Sequence, residues 1–296
     1  MEYVERRREV IESRLEEVVS AVEPSELEDE LSHVVLAGGK RVRPTLTLLT
    51  CEAAGGAVWT TDTADGSRTL GPDGETALDF AVGVELVHNA SLVVDDIIDR
   101  SELRRGTESA WSAYGHGPAL VTSDGLLGEA FALFSADSRA LESVSRALVE
   151  LGEGEAVELV DRPTSKAEYM ELARRKTGAL FRTAAELGAI AADADAATID
   201  AFGEYAERVG IAFQIRDDVL DAVAEAEDLG KPTGQDDVLD RPSIVRVTGE
   251  DPETLTELAR EESAAALAAL DRVTVGDAAA VEYLVDLAEF VVDRER

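Results

Sequence analysis

Two stretches of this chain carry paired carboxylates at a spacing that suits a divalent cation. In the first, Asp95-Asp96-Ile97-Ile98-Asp99, the outer aspartates are four residues apart, so a helix places both on one face. That face extends backwards through Ser91 and His88. Val84, Val87, Val93, Val94, Ile97 and Ile98 flank it and are expected to be buried. Carboxylates crowded among apolar neighbours repel one another and lose hydration, so they need a cation. Oxygen ligands that leave room for water and phosphate suit Mg²⁺. The arrangement recurs at Asp217-Asp218-Val219-Leu220-Asp221, where Gly210, Gln214, Asp217 and Asp221 share a face bordered by Ile211, Phe213, Ile215, Val219 and Leu220. The candidate metal ligands are therefore Asp95, Asp96, Asp99, Asp217, Asp218 and Asp221.

Aspartate fills 26 of 296 positions, so chance supplies roughly 0.2 matches to Asp-Asp-x-x-Asp. The chain has three. The third, Asp236 to Asp240, follows a Gly/Pro loop and reads as accidental. A solvated acidic face is the bland explanation, and the apolar flanks of the first two motifs argue against it.

Clustered cations in so acidic a chain point to an anion. Gly38-Gly39-Lys40-Arg41-Val42-Arg43-Pro44 sets two glycines and then Lys40 and Arg43 at the start of a helix. Backbone N–H groups, the helix dipole and side-chain charge would act together there on a diphosphate. Arg104-Arg105-Gly106 follows the first acidic motif, Lys176-Thr177-Gly178 opens an apolar helix, and Lys231 follows the second acidic motif. Arg41, Arg174 and Arg175 read as salt-bridged surface cations. Only four lysines occur, Lys40, Lys166, Lys176 and Lys231, and three of them lie in these motifs.

The elements that must position these groups are helices. Ala, Glu, Leu and Arg dominate, and apolar residues recur at helical rather than strand spacing. Helices are expected over residues 2–22, 25–37, 44–54, 76–100, 118–134, 137–160, 166–192, 195–223, 251–271 and 276–294, with a short one near 240–248. Residues 55–75, rich in Gly, Thr and Asp, read as a surface loop insertion in a single domain spanning 1–296. The fold class is all-α.

A net charge of −34 with 45% hydrophobic residues describes a folded chain that repels itself in dilute buffer. It fits a salt-rich cytoplasm, where screening acts within a few Å, and excludes non-specific binding to nucleic acid or anionic lipid. Cys51 is the only cysteine, so no intrachain disulfide forms. No uninterrupted apolar run approaches a membrane span, and the charged start lacks the core of a signal peptide. The expected location is cytoplasmic.

The segments GGKRVRP, VHNASLVVDDIID, SELRRG, KTGALF, FQIRDDVLD and LGKPTG, in that order from about residue 30 to 248, resemble the trans-prenyl diphosphate synthases, or polyprenyl synthetase family. They are most similar to geranylgeranyl diphosphate synthases, here from a halophilic archaeon. The resemblance implies the isoprenoid-synthase bundle of helices around a deep central cavity, and a homodimer. It implies that Lys40, Arg43, His88 and Arg105 hold isopentenyl diphosphate. Asp95 and Asp99, joined by Asp217 across the cavity, would hold Mg²⁺ on an allylic diphosphate, which Arg104, Lys176, Thr177, Gln214, Lys231 and Arg241 also bind. Val94 stands where many members have His, Glu155 and Glu158 replace Gln and Asp, and Asp240-Arg241 replaces Gly-Lys.

The implied chemistry is ionisation of the allylic C–O bond, attack of the isopentenyl double bond and loss of a proton, with the released diphosphate as base. Ala90 and Ser91, one turn before the first motif, are small and leave room for a chain of twenty carbons or more. Longer-chain synthesis for quinone side chains and a non-catalytic regulatory subunit are the alternatives. A terpene cyclase, which needs one diphosphate site, leaves the second basic set unexplained, and a plain helical cation-binding protein leaves more unexplained still.

Overall fold

The computed structural model describes residues 2–60, 69–228, 242–274 and 276–293. Thirteen helices account for almost all regular structure among them, and the four strands are two residues each. The acidic motifs ride on the two longest helices. Helix α4 (Pro72–Asp99) starts with Pro72 in its first turn, where the missing N–H costs nothing, and stops at Arg100 in the left-handed conformation. Its first turn lies a few residues before the expected start, inside the segment read as a loop. Helix α10 (Ala196–Asp228) runs 33 residues, about 50 Å at 1.5 Å per residue.

Between them pack α3 (Val42–Ala53) and α9 (Ala179–Ala191), whose residues are nearly all buried. Helix α3 lies against α4 and α9, and α9 lies against α10. Gly188 makes the α3–α9 crossing possible. A Cβ there would stand 2.0 Å from Thr50 Oγ1 and 2.1 Å from the Thr47 carbonyl oxygen. The outer elements are α1 (Glu2–Val19), α2 (Ser25–Val35), α5 (Ala110–Tyr114), α6 (His116–Phe134), α7 (Ser138–Ala156), α8 (Lys166–Ala173), α11 (Ile244–Thr248), α12 (Pro252–Leu270) and α13 (Ala278–Asp293). One core runs through the bundle, with Phe80, Phe134, Phe181, Phe202 and Tyr205 among its largest side chains. Helix α4 is long and apolar enough to cross a membrane by composition, but it is mostly buried inside this bundle.

Three details differ from the periodicity reading. The run from 137 to 192 is interrupted by two π-helical turns, Val157–Asp161 and Arg174–Gly178. A hairpin of β3 (Leu103–Arg104) and β4 (Thr107–Glu108) follows α4. Its two turn residues, Arg105 and Gly106, both have positive φ, 53° and 82°, which gives a tight turn whose twist matches the strands. A smaller pairing of β1 (Trp59–Thr60) with β2 (Thr69–Leu70) lies within the 55–75 segment.

Candidate active site

Two adjoining cavities flank α10, the first between it and α4, the second between it, α8 and α11. The first, about 390 Å³, is lined by Lys40, Arg43, His88, Ser91, Asp95, Arg104, Arg105, Lys176, Thr177, Gln214 and Asp217, among others. The second, about 460 Å³, is lined by Glu158, Tyr169, Lys176, Thr177, Gln214, Asp217, Asp218, Asp221 and Arg246, among others. Lys176, Thr177, Gln214 and Asp217 border both. The structure thus brings together residues up to 177 positions apart (Lys40 and Asp217).

At the basic end, Gly38 and Gly39 have φ of 87° and 146°, so the chain before α3 turns in a way that side-chain-bearing residues resist. A Cβ on Gly39 would lie 3.1 Å from Arg105 Cζ. The bare backbone lets that guanidinium lie across the turn, donating to Gly38 O at 2.5 Å and to Asn89 Oδ1 at 3.3 Å. Arg43 lies over the Phe181 ring, 4.5 Å from its centroid. Its Nε is buried without a hydrogen-bond partner, an unmet donor aimed where an anion would satisfy it. Burial pulls the Arg43 pKa down to about 10, and nearby Arg105 adds to this against the opposing pull of Glu85. His88 is held neutral, its pKa far below the usual imidazole range through burial and then the charges of Arg43 and Arg105. Lys40 is exposed at the rim.

Arg41 is ion-paired as its sequence reading has it, but it is not a surface cation. It is buried, donating to Glu12 at 2.7 Å, to Glu85 at 2.6 Å and to Val35 O at 2.6 Å. Its left-handed backbone before α3 turns the side chain inward. Arg174 and Arg175 do form the expected bridges, to Glu150 at 2.6 Å and Glu153 at 2.9 Å.

The six aspartates divide by their angle around the helix. Asp95 and Asp217 face the first cavity from opposite sides, and Asp217, Asp218 and Asp221 line the second. Asp99 is half-buried one turn beyond Asp95 and is outside both linings. Asp96, rotated about 100° from Asp95, is buried and ion-paired with Arg104, whose Nε donates to it at 3.0 Å. Asp218 accepts from Tyr169 OH at 2.6 Å, the Ile244 N–H at 2.8 Å and Gln214 Nε2 at 3.0 Å. Burial raises its pKa, although these donors work the other way. Gln214 also accepts from Thr177 Oγ1 at 2.8 Å. The middle aspartates thus tie α4 to its hairpin and α10 to α8 and α11.

Lys176 emerges from the second π-helical turn into both cavities. Burial lowers its pKa, but Glu158 and Asp95 outweigh that and keep it raised. Lys231 and Arg241, also expected at the diphosphate, lie outside the described residues, as does the third acidic motif. Tyr169, Phe181, Glu85 and Arg246 were not singled out from sequence. Tyr169 and Phe181 sit in apolar helical patterns indistinguishable from ordinary core.

The hard oxygen donors fit Mg²⁺. Among the described residues no three His, Cys, Asp or Glu side chains converge on one point.

A helical bundle with opposed carboxylates at one end of a cleft and clustered cations at the other is a class of site suited to polyanionic ligands. Comparison with known proteins is specific. The polyprenyl synthetase family model matches residues 24–271, and the chain belongs to that family. It is 34% identical over 245 residues to the short chain isoprenyl diphosphate synthase of Methanothermobacter thermautotrophicus, covering 80% of this chain and 70% of that one. The crystal structure of geranylgeranyl pyrophosphate synthetase from Pyrococcus horikoshii superposes with a TM-score of 0.83 at 30% identity, covering 99% of this chain and 98% of that one. A polyprenyl synthase from Caulobacter crescentus, complexed with calcium and isoprenyl diphosphate, matches with a TM-score of 0.79 at 27% identity, over 99% and 97% of the two chains. The isoprenoid-synthase fold expected from the motifs is the fold observed.

Proposed function

We propose that this protein is a magnesium-dependent trans-prenyltransferase that joins isopentenyl diphosphate to an allylic diphosphate and releases geranylgeranyl diphosphate. The observation that carries the reading is the first cavity, where Asp95 and Asp217 face each other across a space that also holds Arg43, His88 and Arg105. One diphosphate needs one cationic site, whereas this space offers a basic end and a metal end within reach of each other.

Isopentenyl diphosphate binds at Lys40, Arg43 and Arg105. His88, held neutral, contributes hydrogen bonding without competing for the anion's counter-charge. The allylic diphosphate lies at the other end between Asp95, Asp99 and Asp217, with Arg104, Lys176, Thr177 and Gln214 around it, while Lys231 and Arg241, which the family resemblance assigns to the same diphosphate, lie outside the described residues. Mg²⁺, held by these aspartates, supplies Lewis-acid stabilisation of the departing diphosphate. Lys176 adds a hydrogen-bonding cation where negative charge grows on the leaving oxygen. Thr177 and Gln214, locked to each other and to Asp218, present fixed dipoles to the allylic cation. The isopentenyl π bond then attacks that cation, and the proton lost from the new cation passes to the released diphosphate.

Asp96 supports this site from behind through its ion pair with Arg104, which itself lines the first cavity. Ser91 lines the cavity and Ala90 is buried with its carbonyl accepting from Ser123 Oγ at 3.2 Å. Neither side chain is bulky enough to stop a growing tail, which supports a twenty-carbon product. The test is incubation of the purified chain with labelled isopentenyl diphosphate, each of the five-, ten- and fifteen-carbon allylic primers, Mg²⁺ and molar KCl. A twenty-carbon diphosphate is the expected product. Thirty carbons or more would assign quinone-type chains, and no product with any primer would leave a regulatory subunit.

A further inference from the structure

Lys176 is engaged twice before any substrate arrives. Its Nζ donates to Glu155 Oε2 at 2.9 Å and, in a shorter contact, to Glu158 Oε2. A lysine ammonium has three donors, so two are committed to carboxylates, and Asp95 acts on the same charge from across the cleft. The pairing belongs to a register between the end of α7 and the π-helical turn at 174–178. Glu150 meets Arg174, Glu153 meets Arg175, and Glu155 meets Lys176. Of these three cations only Lys176 faces the cavities. One carboxylate suffices to fix an ammonium. Two give the group a net negative charge where an anion must bind, and both are well shielded, with side chains 17% and 11% exposed. Glu158 lines the second cavity, whereas Glu155 lines neither and acts only through the lysine.

We propose that Glu155 is a positioning residue that holds Lys176 back, so that a diphosphate takes the lysine only by displacing a carboxylate. This rests on the reading of the cleft as an allylic diphosphate site. The glutamate weakens ground-state binding of the substrate and of the released diphosphate, and it has no effect at the Arg43–Arg105 end. The charge of Glu155 is the active feature, because an amide of the same shape still accepts one hydrogen bond from Lys176.

The test compares wild type with E155Q, E155A and the neighbouring control E153Q, which breaks the Glu153–Arg175 pair. In E155Q and E155A the KM for the allylic diphosphate falls about fivefold at the lowest KCl concentration that keeps wild type folded and at constant mass, the expected size for losing one adjacent like charge in a half-buried site. The calorimetric Kd for inorganic pyrophosphate with MgCl2 falls in parallel, while the KM for isopentenyl diphosphate is unchanged. Molar KCl shrinks the difference through screening, and E153Q matches wild type throughout. Unchanged allylic KM and pyrophosphate affinity in folded E155Q, or equal shifts in both KM values, overturns the proposal. If wild type forms no prenyl product, the reading of the reaction fails. The pyrophosphate comparison then still decides the Glu155–Lys176 relation.

Discussion

Asp95 and Asp96 are neighbours with opposite occupations, one facing the cleft and the other closed against Arg104. Removing each therefore has a different consequence. Asp95→Ala takes away a metal-facing carboxylate and is expected to cut turnover by about 10³-fold or more, a loss on the scale of Lewis-acid stabilisation. The helical circular dichroism should be unchanged, and turnover within tenfold of wild type would refute the metal assignment. Asp96→Ala leaves Arg104, whose side chain is 38% exposed, to be solvated by water and should destabilise the fold by about 1 kcal/mol, read from denaturant midpoints. His88 supplies a pH prediction. Its folded pKa lies well below the unfolded value of about 6.5, so the unfolded chain binds the extra proton. Stability is accordingly full above that value and falls as pH drops beneath it, at up to about 1.4 kcal/mol per pH unit from this one group. His88→Gln should flatten the decline between pH 7.5 and 5.5 when both proteins are unfolded by denaturant at one KCl concentration.

The elements explain why some of this was legible beforehand. An i, i+4 carboxylate pair inside an apolar helix has few outcomes, so the period places each motif on one face of α4 or α10, while the facing of Asp95 and Asp217 across the cavity comes only from the family resemblance. The destinations of Asp96 and Asp218 did not follow. They depend on a hairpin turn eight residues on and on Tyr169, 49 residues away, contacts that no local period encodes. The π-helical turn that swings Lys176 into the cleft was likewise hidden, because one extra residue in a turn leaves the apolar pattern nearly intact. Arg41 was misjudged for a related reason: burial with Glu12 and Glu85 is a property of three elements at once. The α3–α9 crossing is where the scaffold that aims these groups is least tolerant. Gly188→Ala would push a methyl against the Thr47 carbonyl and Thr50 hydroxyl, with a cost of about 2–4 kcal/mol. Unfolding midpoints unchanged from wild type would show that α9 can slide instead.

Over the whole molecule, charge sets the conditions under which the site exists. A chain of net charge −34 stores self-repulsion that a short screening length removes, so the fold is expected to need salt. Leu120 and Val121, on the outer face of α6, are 52% and 55% exposed. Two adjacent aliphatic side chains in so polar a surface suit contact with a second copy of the chain. The two properties combine into one experiment. Bringing two such acidic chains together multiplies the repulsion, while the apolar contact gains nothing when salt is withdrawn. A dimer formed through that face should therefore be lost at a higher KCl concentration than the helical fold. Sedimentation across a KCl series should show a species near twice 31.6 kDa in molar salt, converting to monomer before ellipticity falls. Leu120→Glu with Val121→Glu should be monomeric even in molar KCl while keeping its helical signal. If that double variant sediments with wild type, the second copy docks elsewhere. If helicity and mass are both constant down to about 0.05 M KCl, where screening extends beyond 10 Å, the charge is not what governs this fold.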